Sequence, residues 1–339
     1  MARKQTIKFL MKSELNSMAA YGRSKYQDQQ RTYAVRSQMK KEGKSWEECL
    51  RVNFSKDYIY SYQTMKNYQY EVDRFADYLS EQGLKKISLA EAREHIQEYL
   101  DYEKEKGLRP ASINSSMSAI CKALHADIID FDRPKRSVSD IVRSRGEHEH
   151  DMRNAESAKE LLEANRLMGL RRNELRGLKA SDIREVDDKV IIYTKGKGGK
   201  HNQQIFYLPE EKEKILSYKE GKQPTDRIFD RELFKNDADL HYMRELRAKD
   251  VYEQVRTDMR QNPERRDFYK DEIQRIFAES GRTLKEDLDK PYITRGENRE
   301  RLEAEGREVS FDRVALMMVS VTVLNHFRSS VSCNYYVGK

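Results

Sequence analysis

The chain has 339 residues, 37% of them hydrophobic and 36% charged, with a formal net charge of +7 and an isoelectric point near 9.0. That length leads us to expect two domains plus an extension, and no apolar run approaches the ~20 residues of a membrane span. The N-terminus lacks a secretory apolar segment, and Cys49, Cys121 and Cys333 fall in no disulfide or zinc spacing, so the expected setting is the cytoplasm and the expected partner a polyanion.

Residues 1–50 hold eleven Lys or Arg against five Asp or Glu, so nearly all the excess charge lies there. Residues 1–56 are polar without a convincing apolar period and read as a basic N-terminal arm, with short helical stretches around Glu14 to Tyr21 and Asp28 to Lys41. From Ser61 the pattern changes. Tyr68, Val72, Phe75 and Leu79 recur at i, i+4, i+7 and i+11, the spacing of one helix face. Ser88 with Glu91 is a capping box opening a helix that buries Ala92, Ile96 and Tyr99 or Leu100. Gly107 ends the helical run, and Pro110 starts another through Ile113, Met117, Ile120 and Leu124. Residues 57–127 are therefore an expected all-helical domain, and the aperiodic, charged residues 128–150 an expected linker.

The remainder, residues 151–339, mixes both periodicities. A helix carrying Leu161, Leu162 and Leu167 runs toward Gly169. Val190-Ile191-Ile192-Tyr193 and Ile205-Phe206-Tyr207-Leu208 are short strands flanking Lys195-Gly196-Lys197-Gly198-Gly199-Lys200, which makes a hairpin with a basic tip. Helix dominates from Tyr242, through a charged stretch at residues 256–307, to an apolar helix at Val314, Leu316, Met317, Met318 and Val323. The fold class expected is mainly α with a small antiparallel β-sheet.

Chemistry-bearing residues are scattered along this half. Arg171 follows Gly169-Leu170, His241 and Arg244 form His-Tyr-Met-Arg, and His326 stands nine and ten residues before Tyr335 and Tyr336. Arg171 and Arg244, each on a predicted helix, can fork onto phosphate oxygens and stay charged. A tyrosine hydroxyl can attack a phosphodiester if cations hold the nonbridging oxygens and an acid protonates the leaving 5′-oxygen. Taken singly, each is an ordinary surface or packing residue; their joint order carries the signal.

These residues resemble a tyrosine recombinase of the phage-integrase family. Gly169-Leu170-Arg171 with Glu174-Leu175, Leu178 and Ser181-Asp182-Ile183 is similar to the family's first arginine box. Lys197 is similar to its β-turn lysine, with Leu208-Pro209 at the strand end that follows, and His241-Tyr242-Met243-Arg244 to its His-x-x-Arg box. Leu324-Asn325-His326 resembles Leu-Gly-His with Asn325 replacing glycine. Residues 57–127, with Thr64, Tyr68 and the stretch from Gly107 to Asn114, resemble its core-binding, SAM-like domain.

The resemblance implies that Arg171 and Arg244 bind the scissile phosphate, Lys197 is the general acid, and His241 and His326 assist. Tyr336 is the favoured nucleophile, since it is followed by the aliphatic Val337, with Tyr335 the alternative; adjacent helical residues point ~100° apart, so only one can face the phosphate. The resemblance also implies no cofactor, no metal, specific double-stranded DNA sites, a homotetramer on DNA and, as a further partner, an accessory DNA-bending or directionality factor. The 82 residues from Arg244 to His326 exceed the family's usual connection, so the stretch at 256–307 is expected to be an insertion that touches DNA, touches a neighbouring protomer or is a solvated decoration. Two alternatives stay open: a type IB-like topoisomerase, and a catalytically silent DNA-binding regulator on the same fold.

Overall fold

The computed structural model describes residues 5–135, 155–196, 201–235 and 238–338. The chain divides into two compact units, Met1–Asp140 and Ile141–Lys339. Among the described residues α-helices far outweigh five short antiparallel strands, so the fold is mainly α with little sheet.

The first unit is helical: α1 (Ile7–Ser17), α2 (Lys25–Lys41), α3 (Trp46–Arg51), α4 (Tyr62–Glu81), α5 (Leu89–Glu94), α6 (Ile96–Glu105) and α7 (Pro110–Ala123). Local signals set its boundaries. Ser61 accepts from Thr64 N at 3.1 Å to start α4, Ser88 and Glu91 form the reciprocal cap of α5, and Pro110 occupies the first turn of α7. Val72, Phe75 and Leu79 of α4 meet Ile113, Met117 and Ile120 of α7 in one core.

Residues 7–56 do not stand apart as an arm. Ile7, Met11 and Leu15 of α1 have no exposed surface and lie in that same core, each worth about 1.5–3 kcal/mol of burial. Ile59 N donates to Met18 O at 2.7 Å and Ala20 N to Ile59 O at 2.9 Å, stitching the segment to the start of the core domain. The stripe is one apolar residue per turn, embedded among Lys8, Lys12 and Glu14, so polar composition masks it. Lys12 in turn pairs with Asp73 of α4 at 2.7 Å. The α2–α3 hairpin is fixed by polar contacts instead: Asp28 is buried under Arg23 and Tyr60, at 2.7 and 2.8 Å, and Arg36 donates to the carbonyls of Leu50 and Val52.

The second unit begins with α8 (Ala155–Met168) and α9 (Arg172–Gly177), then β1 (Ile183–Val186), β2 (Lys189–Lys195) and β3 (His201–Phe206) in an antiparallel sheet of order β1-β2-β3. Ile191 faces Ile205 across β2 and β3, as the hairpin reading expects. There follow α10 (Pro209–Ser217), α11 (Leu240–Gln261), α12 (Arg265–Glu279), β4 (Tyr292–Ile293), α13 (Glu297–Ala304), β5 (Ser310–Phe311) and α14 (Arg313–Val319). The chain then makes a π-helical turn at Ser320–Leu324, bends by 82°, and ends in α15 (Ser329–Ser332) and a second π-helical turn at Cys333–Val337. No single described helix is long and apolar enough to cross a membrane.

The charged stretch at 256–307 is structural rather than a solvated decoration. Tyr269, Ile273, Ile276 and Phe277 of α12, with Leu288 and Leu302, pack in one core with the apolar α14, and Tyr292 pairs with Phe311 to join β4 to β5. Its charges sit on the outer faces of these helices, in pairs such as Arg299 with Glu303 and Arg301 with Glu305. Glu272 of α12 points inward, where it accepts from Tyr207 Oη at 2.8 Å, Lys189 Nζ at 3.2 Å and Arg275 Nη2 at 2.8 Å.

Candidate active site

Four pieces of the second unit converge on Arg244. Its side chain leaves the first turns of α11 and has no exposed surface. The guanidinium donates to Gly169 O and to Leu324 O, the latter at 2.9 Å, and Nε has no hydrogen-bond partner. No carboxylate pairs with Arg244 among the described residues. Burial pushes the guanidinium pKa down and neighbouring Arg171 adds to this, whereas Tyr336 and Glu174 act the other way. An arginine nevertheless keeps its proton in a protein, so this is a buried, weakly compensated positive charge.

The backbone that receives Arg244 is shaped for it. Gly169 holds φ +63°, and a Cβ there would stand 3.0 Å from Val323 and 3.1 Å from Arg247, so only glycine turns the end of α8 this tightly. Asn165, fully buried near the end of α8, accepts from Leu170 N at 2.8 Å and donates to Leu240 O at 2.6 Å. It thereby ties the turn carrying Arg171 to the start of α11. Sequence reasoning missed Asn165, although one amide within the Leu161, Leu162 and Met168 face is a visible signal.

Arg171 is the N-cap of α9 rather than part of a helix. Its side chain, half-buried, lies 2.7 Å from Glu174 Oε1, and its own backbone N–H donates to Glu174 Oε2 at 2.9 Å. Glu174 also accepts from Asn202 Nδ2 of β3 at 3.1 Å. The neighbouring Arg172 is used differently, donating to Phe234 O at 3.2 Å and to Ala238 O in the segment before α11. Lys197 lies outside the described residues, as does most of the expected linker.

The terminal segment supplies the other side. Asn325 adopts a left-handed conformation, φ 55° and ψ 37°, which asparagine tolerates. Its amide exchanges two hydrogen bonds with the backbone of Gln203 on β3, at 3.0 and 2.9 Å. Asparagine thus does what glycine would do for the backbone and also ties the bend to the sheet. The next residue, His326, presents its ring 6.4 Å from that of Tyr336, and His241 presents its ring 6.1 Å from that of Tyr336. Tyr336 is only 3% exposed and interacts with Arg244 electrostatically and through a side-chain hydrogen bond. Tyr335 is partly buried and packs against the apolar core formed with α12 and α14.

Arg171, His241, Arg244, His326 and Tyr336 are therefore brought together, with both histidine rings approaching that of Tyr336. Exposure falls from His241 at the surface, through half-buried Arg171 and His326, to Arg244 at the bottom. Guanidinium donors beside a tyrosine hydroxyl suit a tetrahedral oxyanion. Among the described residues no cluster of three or more His, Cys, Asp or Glu side chains could hold a metal ion.

Residues 53–126 match the phage integrase N-terminal SAM-like domain. Among solved structures, the chain is similar to the XerH site-specific recombinase bound to palindromic difH substrate in a post-cleavage complex, with 14% identity over 75% of this chain and 88% of that one and a TM-score of 0.40. It is similar also to XerH in a pre-cleavage complex with difH substrate, at 13% identity with the same coverages and a TM-score of 0.37. A third is the XerA recombinase, at 19% identity over 59% of this chain and 82% of that one, with a TM-score of 0.21. No curated protein sequence matches.

Proposed function

We propose that the chain, whose residues 53–126 match the phage integrase N-terminal SAM-like domain, is a tyrosine recombinase that cleaves and rejoins DNA at specific sites through a 3′-phosphotyrosyl intermediate, moving a mobile element. The observation that carries this reading is Arg244, a fully buried guanidinium that donates to two carbonyls, has no carboxylate partner among the described residues, and adjoins Arg171 and Tyr336, the latter approached by both histidine rings. Burying a charge without a counterion is costly. A phosphate oxyanion would offset that cost, and its bidentate geometry matches the guanidinium fork.

In this mechanism the Tyr336 hydroxyl oxygen attacks the scissile phosphorus in line with the 5′-oxygen. The new bond is Tyr336 Oη to phosphorus, and the bond broken is phosphorus to O5′. Lys197 donates the proton that the leaving 5′-oxygen takes up, and His241 or His326 accepts the tyrosine proton. Arg171 and Arg244 hold the nonbridging oxygens as charge builds on them. The ester energy is retained in the phosphotyrosine, so the reverse attack by a 5′-hydroxyl reseals a strand without ATP. Exchanging two duplexes needs four such sites, hence a tetramer on DNA. The SAM-like domain supplies further DNA contacts, with phosphate contacts setting register and base edges setting specificity.

The test is a nicked suicide duplex carrying the attachment site that flanks the gene. The expected result is a covalent protein–DNA adduct on a denaturing gel. DNA binding without any adduct would contradict the reading in favour of a DNA-binding regulator, and relaxation of supercoiled DNA without paired sites would favour a topoisomerase.

A further inference from the structure

The charged stretch between α11 and β5 reaches the tyrosine-bearing segment at its start, middle and end. Arg328, the residue before α15, caps no backbone donor with its side chain. The cap comes instead from Glu286, whose carboxylate accepts from Ser329 N at 3.1 Å and also from Ser329 Oγ. Ser329 is fully buried, so these donors have no access to solvent as an alternative. Tyr292 Oη meets Asn334 Oδ1 at 3.5 Å, and Arg301 Nη2 donates to Gly338 O at 2.8 Å, next to the last residue of the terminal π-helical turn. Where the chain enters the segment, Phe327 is held edge-on by Phe277 at 5.2 Å and faced by the Arg282 guanidinium at 4.4 Å.

A four-residue helix followed by one π-helical turn is too short to hold its own register. Tyr335 and Tyr336 are adjacent, so a slip of one residue would exchange the tyrosine that faces Arg244. Resting on the function proposed above, we infer that Glu286 and Arg301 are positioning residues for cleavage: they fix the two ends of the terminal segment so that Tyr336 alone is presented to the phosphate. The stretch at 256–307 would then be a strap that sets which tyrosine reacts.

Single-turnover adduct formation at saturating protein, compared with affinity for the uncut site, separates positioning from binding. Glu286→Ala should slow cleavage by about ten- to a hundredfold, the scale of an ångström-level misplacement, with site affinity unchanged. Glu286→Gln keeps one acceptor oxygen and should fall between, and Arg301→Lys should recover most of what Arg301→Ala loses. Fragment mass spectrometry of the adduct peptide should show Tyr335 modified alongside Tyr336 in Glu286→Ala and Tyr336 alone in the unaltered protein. Hydrogen exchange on free protein should rise in Glu286→Ala across residues 329–338 and not in α11. The inference is overturned if Glu286→Ala and Arg301→Ala cleave at the unaltered rate, if cleavage falls only in step with melting temperature, or if exchange across 329–338 does not change. The absence of any adduct from the unaltered protein would instead count against the function, and the exchange result would still decide the strap.

Discussion

Two inward-facing charges of the second unit, one largely and one fully buried, are handled in opposite ways. Glu272 lies among Arg275, Tyr207 and Lys189, all within 3.2 Å, and although burial alone would raise its pKa, these donors hold it down to about 2. Arg244 lies deeper, with no exposed surface, yet it donates to two carbonyls, leaves Nε unpaired, and has its pKa pushed down by burial. The first is a closed network whose charges answer one another, and it ties β2 to α12. The second keeps a charge with no carboxylate pairing it among the described residues. A fold can tolerate such a charge only because the surrounding packing is strong, and it is reasonable to retain one where an anionic substrate completes it.

Replacing each charge should therefore fail in a different assay. Arg244→Met should reduce adduct formation by about 10²–10³-fold, the usual cost of one oxyanion donor, with a smaller loss of stability than Glu272→Ala causes. Glu272→Ala should cost about 1–3 kcal/mol in denaturant unfolding, because it leaves the largely buried Lys189 ammonium and the Tyr207 hydroxyl without their acceptor, while folded protein keeps its cleavage rate. A stability loss from Arg244→Met as large as that from Glu272→Ala would erase the contrast.

Acid titration probes the closed network alone. The folded pKa of Glu272 lies below its unfolded value, so its contribution is complete above about pH 4.3 and disappears as pH falls through about 2. Glu272→Gln should flatten the fall in melting temperature over that window; an unchanged acid limb would contradict the network. A smaller effect is expected at the bend: Asn325→Gly keeps the left-handed backbone but loses both bonds to Gln203, for about 1–2 kcal/mol by equilibrium unfolding. Loss of adduct without loss of stability there would show that the amide acts on the site rather than on the fold.

The parts legible in the sequence were those with local causes. Ser88 with Glu91, Pro110 and the Val72, Phe75, Leu79 stripe announced their helices, and apolar runs announced β2 and the end of β3, whose polar start at His201–Gln204 carries no such signal. Arg171, His241, Arg244, His326 and the tyrosine pair could be named through a resemblance, but their meeting depends on long-range packing that no local pattern encodes. α1 was hidden because its buried stripe is only Ile7, Met11 and Leu15. The strap was hidden for a similar reason, since its charged outer face dominates the composition while Ile273, Ile276 and Leu302 face inward. Glu286 gave no sequence signal, because capping from a distant loop leaves none.

The claim that most depends on this geometry is that Tyr336, not Tyr335, reacts at the Arg244 site. The direct test is adduct formation on the suicide duplex by Tyr336→Phe and Tyr335→Phe, with the modified residue mapped in the unaltered protein. The expected result is no adduct from Tyr336→Phe, retained adduct from Tyr335→Phe, and DNA attached to Tyr336. An adduct that survives in Tyr336→Phe, or DNA mapped to Tyr335 in the unaltered protein, would contradict the account.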